Sequence, residues 1–142
     1  MIIDANRAGD FSGMINECAK IILLRIAQKK VKVAVGGQLM QELSRTALRG
    51  FLLEWSRNGQ LRRIDETDIN HELHLLAGAH LVSNDIHVIA LARASRTRLV
   101  FTDDNNLITD FKNTLLISPK GKVICTSTDP SIARKLLDIY AA

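Results

Sequence analysis

Residues 99–107 have the sequence Leu-Val-Phe-Thr-Asp-Asp-Asn-Asn-Leu. Leu99–Phe101 is a short apolar run that predicts a buried β-strand, and the apolar spacing over 107–111 predicts a short helix. Polar residues, two of them acidic, fill the interval between this strand and this helix. In open α/β sheets, ligands bind just beyond the carboxyl ends of the strands. The stretch therefore predicts an α/β fold and the edge of the sheet that carries a site.

The same alternation of strand and helix patterns runs through the whole chain. Short apolar runs predict five strands, at 1–3, 31–35, 61–64, 99–101 and 123–125. Apolar residues at helical spacing predict longer helices over 11–28, 38–55 and 67–81. We expect a single domain, residues 1–142, with a three-layer α/β/α arrangement. Helices then cover both faces of a mostly parallel, about five-stranded sheet.

Composition limits the classes of function. The 142 residues, 46% hydrophobic and 24% charged, are enough for one globular domain with its own core. Four Phe, one Trp and one Tyr are too few for an aromatic platform that stacks bases. There is no apolar run that could span a bilayer and no signal-peptide pattern. Two unclustered cysteines, Cys18 and Cys125, favour a reducing compartment, so we expect a cytoplasmic protein.

Acidic residues recur where the predicted strands end and the following helices begin. They are Asp4, Glu42, Asp85, Asp103 and Asp104. In a parallel sheet these positions meet at one edge, where several ionised carboxylates repel one another unless a cation lies between them. A hard divalent ion such as Mg²⁺ takes oxygen ligands and can activate water for phosphoryl displacement. Taken singly, each acid also has an ordinary explanation as a helix cap, a turn residue or a solvated charge.

The charge balance favours a polyanionic partner. If four acids form one cluster, the 19 Lys and Arg side chains face the remaining 11 of the 15 acids, an excess of eight positive charges elsewhere. Such an excess suits a phosphate backbone. Five arginines lie in the segments nearest the predicted site and are candidate contacts for nucleic acid: Arg7, Arg45, Arg49, Arg93 and Arg96.

Four segments resemble, in the right order, the motifs of the PIN domain, a family of metal-dependent nucleases. Ile3-Asp4-Ala5-Asn6 resembles the opening motif of that family, and Gln41-Glu42-Leu43 resembles its helical glutamate. Residues 84–92 resemble its aspartate followed by an Ala-rich helix, and 99–107 resemble its strand followed by Thr-x-Asp. The resemblance covers essentially the whole chain.

The resemblance implies that Asp4, Glu42, Asp85 and Asp104 hold Mg²⁺ or Mn²⁺ and form the catalytic site of an endonuclease, in the first place an endoribonuclease. The substrate is then RNA or another single-stranded nucleic acid. The resemblance also implies that Asn6 and Thr102 support the metal site and that Asp103 assists it or replaces a ligand. It permits a toxin-type ribonuclease with an antitoxin partner, and a homodimer.

The sequence is also compatible with a function other than cleavage. A PIN-like module that binds RNA or a protein without cleaving it is the alternative, and in it Arg7 pairs with one of the acids. His71 and His74 lack the spacing of a zinc protease, so surface histidines are the better interpretation. Gly36-Gly37 is not followed by a phosphate-binding motif and predicts a turn.

Overall fold

The computed structural model describes residues 1–13 and 15–141. This part of the chain is a mixed α/β fold with eight α-helices and five short strands. The strands are β1 Ile2–Ile3, β2 Val33–Val35, β3 Leu61–Arg63, β4 Leu99–Phe101 and β5 Lys122–Ile124. The helices are α1 Gly9–Gly13, α2 Glu17–Ala27, α3 Gly37–Ser44, α4 Arg49–Arg57, α5 Glu66–Leu75, α6 Ile86–Ser95, α7 Asn105–Phe111 and α8 Pro130–Tyr140. A 3₁₀ turn, Ala5–Arg7, follows β1.

All strand pairs of the described chain are parallel. β4 lies between β1 and β5, with Ile2 opposite Val100, and β2 pairs with β3. The backbone N–H of Ala34 donates to the carbonyl of Met1 at 2.8 Å, which brings β2 beside the start of β1. The predicted parallel sheet is therefore confirmed in part, since its hydrogen bonds divide it into three strands and two. A two-residue β1 has too few backbone groups to complete a ladder on both sides.

The core is aliphatic and centres on β1, β4 and the helix α6. Ile2, Val100 and Phe101 are fully buried, and the Phe101 ring meets Phe11 edge-to-face with centroids 5.7 Å apart. α6 is apolar on nearly all sides, as expected for a helix packed against α3, α5 and β2. Within the described ranges, no helix is long and apolar enough to cross a membrane.

Two of the predicted long helices are interrupted. The prediction of one helix over 11–28 is wrong because Asn16 caps a new helix, its side chain accepting the N–H of Ala19 at 3.0 Å. Ile15, outside both helices, is 87% exposed instead of packed in the core. The 38–55 helix also breaks, at Thr46. The Thr46 hydroxyl donates to the carbonyl of Leu43 and accepts the N–H of Leu48, which competes with the helical ladder.

Residue 121 is a glycine because the backbone before β5 passes directly over Phe111. A Cβ on Gly121 would overlap the carbonyl oxygen and the ring of Phe111.

We expect Gly121→Ala to lower the free energy of unfolding by about 1–3 kcal/mol, the usual range for overpacking. Urea unfolding measures it. Gly50→Ala is the matched control, because a Cβ there meets no atom within 4 Å. Gly50 lies in a helix, where alanine stabilises by up to about 1 kcal/mol.

An equal loss of stability in Gly121→Ala and Gly50→Ala would contradict this account. Such a result would mean that the close approach of the two backbones does not limit residue 121.

Candidate functional site

Asp4 and Thr102 lie side by side where β1 and β4 end. Asp4 is 6% exposed, and Thr102 is fully buried. The hydroxyl of Thr102 donates to Asp4 Oδ2 at 2.6 Å, and the backbone N–H of Asn6 donates to Oδ1 at 3.3 Å. The Asn6 side chain itself is exposed. A buried carboxylate is thus held in one orientation at the carboxyl edge of the sheet.

Thr102 also connects Asp4 to Asp104. Its hydroxyl oxygen accepts the backbone N–H of Asp104 at 3.1 Å. Asp104 is the N-cap of α7, and its Oδ1 accepts the N–H groups of Asn106 at 2.9 Å and Leu107 at 3.3 Å. The helix start therefore fixes the Asp104 carboxylate through one oxygen. A single threonine sets the spacing of two predicted site residues.

Each carboxylate oxygen of Glu42 contacts one neighbouring side chain. Gln38 donates to Oε1 at 2.9 Å, and Nε2 of His87 lies 3.3 Å from Oε2. His87 is 7% exposed and belongs to the first turn of α6. His71 and His74 are exposed, as expected, but His87 is not a surface histidine. The one sequence signal for it was its place two residues after Asp85.

Asp85 shows that the four predicted carboxylates share one electrostatic environment. Burial raises the pKa of Asp85, and the charges of Asp4, Asp104 and Glu42 raise the pKa further, against an opposing effect of His87. Asp85 occupies the N-cap position of α6, yet its carboxylate makes no capping hydrogen bond there. Its side chain is thus not used to begin the helix. We call these four residues, Asp4, Glu42, Asp85 and Asp104, the acidic edge.

The acidic edge offers oxygen ligands to a cation, but it is not a closed cage. Across residues 1–13 and 15–141, no three His, Cys, Asp or Glu side chains are placed so that they could hold a metal ion. Mg²⁺ in proteins keeps several waters and uses one or two carboxylates together with substrate phosphates. An open set of hard oxygen donors, whose mutual repulsion a cation would relieve, fits that mode of binding.

Asp103 faces away from the acidic edge. Its Oδ1 accepts the N–H of Thr126 at 2.7 Å, and its Oδ2 accepts the Thr126 hydroxyl at 2.6 Å and Arg7 Nη1 at 3.0 Å. Arg7 also bonds Asp10 at 3.2 Å. Asp103 therefore ties the loop after β4 to the loop after β5. The alternative interpretation paired Arg7 with one of the strand-end acids, and Arg7 does pair with Asp103, as well as with Asp10.

Asp110 is a supporting residue that the sequence did not reveal. This buried acid in α7 accepts the backbone N–H groups of Val82 at 3.0 Å and Ser83 at 2.9 Å, and the Ser83 hydroxyl. Ser83 Oγ in turn accepts the N–H of Asp85 at 3.3 Å. The loop that precedes Asp85 is thereby anchored to α7. In sequence, an aspartate before Phe111 has the pattern of an ordinary exposed helix charge.

The five candidate arginines do not form one rim around the acidic edge. Arg45 follows α3 and Arg49 begins α4, both exposed. Arg93 donates to Glu72 at 2.7 Å and to the carbonyl of Leu116, and Arg96 follows the end of α6. With a rise of about 1.5 Å per residue, α6 carries Arg93 about 12 Å and Arg96 about 16 Å from Asp85 along its axis. These two arginines lie toward the opposite end of the sheet.

We expect Thr102→Val to lower the free energy of unfolding by about 2–3 kcal/mol. Valine keeps the shape but removes the donor to the buried Asp4 carboxylate and the acceptor for Asp104 N–H. Urea unfolding at neutral pH measures the loss. Thr102→Ser is the control, since it keeps the hydroxyl and loses one methyl group, about 1 kcal/mol. A valine variant as stable as the serine variant would refute the role given to this hydroxyl.

The raised pKa of Asp85 makes the free energy of unfolding depend on pH. Its pKa is raised in the folded protein, so between its ordinary pKa and this raised pKa the folded chain holds a proton that the unfolded chain has released. The contribution of Asp85 to stability therefore falls as pH rises through that window. In EDTA we expect Asp85→Asn to be more stable than the unsubstituted protein at neutral pH, with the difference closing as pH falls through the window. Thermal melts measure both, with exposed Asp68→Asn as control.

A difference between Asp85→Asn and the unsubstituted protein that stays constant over this pH range would contradict the proposed cause. Repulsion among ionised carboxylates must disappear once Asp85 is protonated.

The chain matches no protein-family model, no curated protein and no solved structure.

Proposed function

We propose that the protein is a metal-dependent endonuclease, in the first place an endoribonuclease, and that the acidic edge holds its Mg²⁺ or Mn²⁺. One observation carries the proposal: Thr102 joins Asp4 to Asp104 where β1 and β4 end, and Asp85 and Glu42 lie near enough for the charges of this group to act on one another. The four carboxylates come from four separate segments, yet they act on one another. Without a cation, such an arrangement only costs stability.

The resemblance to the PIN domain supports the same conclusion. Its four motif acids are the four residues of the acidic edge, and Thr102 stands beside them. We propose the three-layer arrangement of that family for the fold. We also propose RNA, or another single-stranded nucleic acid, as the substrate. A toxin role with an antitoxin protein, and a homodimer, belong to this proposal as consequences of the resemblance.

The chain's own residues orient the acidic edge. Thr102 fixes Asp4 and sets the start of the segment that carries Asp104. Gln38 and His87 restrain the two oxygens of Glu42, and Asp110 anchors the loop before Asp85 through Ser83. A divalent cation bound there would supply an activated water and stabilise charge on the leaving oxygen of a phosphodiester. Restraining the carboxylates beforehand lowers the cost of organising them around that cation.

A second candidate function is binding without cleavage. It is favoured by the absence of any group of three ligating side chains in the described residues. It gains in part from Arg7, because Arg7 pairs with Asp103, one of the five strand-end acids, although it does not pair with any residue of the acidic edge. Metal binding separates the two candidates, since a ligand that binds only the folded state raises the melting temperature.

The decisive test is cleavage of a panel of single-stranded RNA, structured RNA and single-stranded DNA in Mg²⁺, Mn²⁺ or EDTA. We expect cleavage with either metal and none in EDTA. Asp85→Asn and Asp104→Asn should each lower the cleavage rate at least about 100-fold. Replacing a group that only orients metal ligands already lowers activity by up to about 100-fold. Asp68→Asn is the matched control, because it removes the same charge from an exposed position at the start of α5.

Two results would overturn the proposal. One is undiminished cleavage by Asp85→Asn and Asp104→Asn, which would place the activity elsewhere. The other is a melting temperature that does not rise with Mn²⁺ together with no cleavage of any substrate, which would favour the binding module.

A further inference from the structure

A second charged surface lies at the end of the sheet opposite the acidic edge. Two clefts meet there, one of about 470 Å³ and one of about 240 Å³, and both are lined by Arg96 and Thr97. Arg98 lines the larger cleft, and Lys32 and Arg62 line the smaller one. We call the surface formed by Lys32, Arg62, Arg96 and Arg98 the basic cleft.

Among the residues that the structure describes, no side-chain carboxylate neutralises the positive charge of the basic cleft. Glu72 is the acidic residue that lines it, and Glu72 is already paired with Arg93 at 2.7 Å. In the part of the chain that the structure describes, none of the four cations of the cleft forms a salt bridge. Two cations in the same region also lie near one aromatic ring, with Arg98 at 5.0 Å and Lys122 at 5.8 Å from the Tyr140 centroid.

Several N–H donors of the arginines in the basic cleft have no acceptor among the described residues. Arg62 gives one N–H to the carbonyl of Ser95, and Arg98 gives one to the carbonyl of Lys120. A guanidinium has five N–H donors, so most of them remain available. Nε of Arg98 is buried, and no partner for it lies in the described chain. Guanidinium groups with free donors match the paired oxygens of phosphate.

Arg96 is held in an unfavourable backbone conformation. It follows α6 with φ 55° and ψ 34°, in the left-handed region, where helices commonly end with glycine. An L-residue adopts this conformation at a cost that glycine avoids. The chain nevertheless has an arginine here, and its side chain borders both clefts. Such local strain often marks a functional position.

From these observations we infer that the basic cleft binds the phosphodiester backbone of a nucleic-acid strand, as a contact separate from the acidic edge. Four cations that line two joined clefts need a ligand with several anionic groups in a row, and a phosphodiester chain supplies them. The choice of nucleic acid over other polyanions rests on the proposed function. The contact needs no metal, because no residue of the acidic edge takes part in it.

The test measures binding of a labelled single-stranded RNA in EDTA, with Asp85→Asn as the background so that cleavage plays no part. Losing one phosphate contact to a single strand lowers the slope of log affinity against log salt by about 0.7. At about 0.1 M salt, this corresponds to a roughly five-fold weaker affinity. We expect that change for Arg96→Gly, together with an unchanged or higher melting temperature because glycine relieves the left-handed strain.

Lys29→Gly is a close control. Lys29 is the other non-glycine residue of the described chain with positive φ, at 59°, and its substitution removes the same charge. It lines a different groove, with Phe51 and Trp55. We expect this variant to bind RNA with unchanged affinity and salt slope. Arg62→Gln, which needs no backbone change, tests the cleft again should Arg96→Gly fail to fold.

Three results would overturn the inference. They are no RNA binding in EDTA, equal weakening by Arg96→Gly and Lys29→Gly, and equally tight binding of poly-glutamate that matches the RNA in charge. Equally tight binding of poly-glutamate would mean that the partner of the cleft is an acidic protein.

Failure of the two proposals is distinguishable: cleft-dependent binding without cleavage in Mg²⁺ or Mn²⁺ would refute the nuclease alone. Cleavage with unchanged binding in Arg96→Gly would refute the cleft alone.

Discussion

The buried hydrogen bond between Thr102 and Asp4 is the constraint on which the site depends. It joins the ends of the two adjacent central strands, and the same hydroxyl receives the backbone of Asp104. A carboxylate taken out of water must be hydrogen-bonded, or its burial is strongly unfavourable. The bond therefore makes the position of Asp4 compatible with the core beneath it. The fold tolerates an acid at the top of an aliphatic sheet because threonine stands next to it.

The remaining acids are positioned at a cost that other interactions offset. Asp85 has a raised pKa because it is partly buried beside other carboxylates, so its charge opposes folding. The three donors that Val82 and Ser83 direct at Asp110 hold the preceding loop in place against that repulsion. A fold tolerates such destabilising groups where the surrounding structure supplies the compensation. Asp110 and Thr102 are part of that compensation here.

Local patterns predicted the strands and the acids but not the contacts that orient them. The apolar run Leu99–Phe101 forms a buried strand as predicted, so this strand and the acids that follow it could be found from sequence. The break at Thr46 accompanies two hydrogen bonds of its hydroxyl, one donated to Leu43 and one accepted from Leu48, and apolar periodicity does not reveal these bonds. His87 and Asp110 have exposed-residue patterns in sequence, and only the packing of α3, α6 and α7 buries them.

The helix α6 explains why the two charged ends of the molecule are compatible. Its amino end lies at Asp85 and its carboxyl end at Arg93 and Arg96, so the acidic edge faces the positive pole of the helix dipole and the basic cleft faces the negative pole. Asp85 and Arg96, at the two ends of the helix, are thereby placed where the dipole stabilises their charges. Residues along the same helix keep the two surfaces about 16 Å apart along its axis, beyond a Debye length at physiological salt. In solvent, the acids then do little to cancel the attraction of the arginines for a polyanion. A single helix can in this way serve a cation site at one end and a phosphate contact at the other.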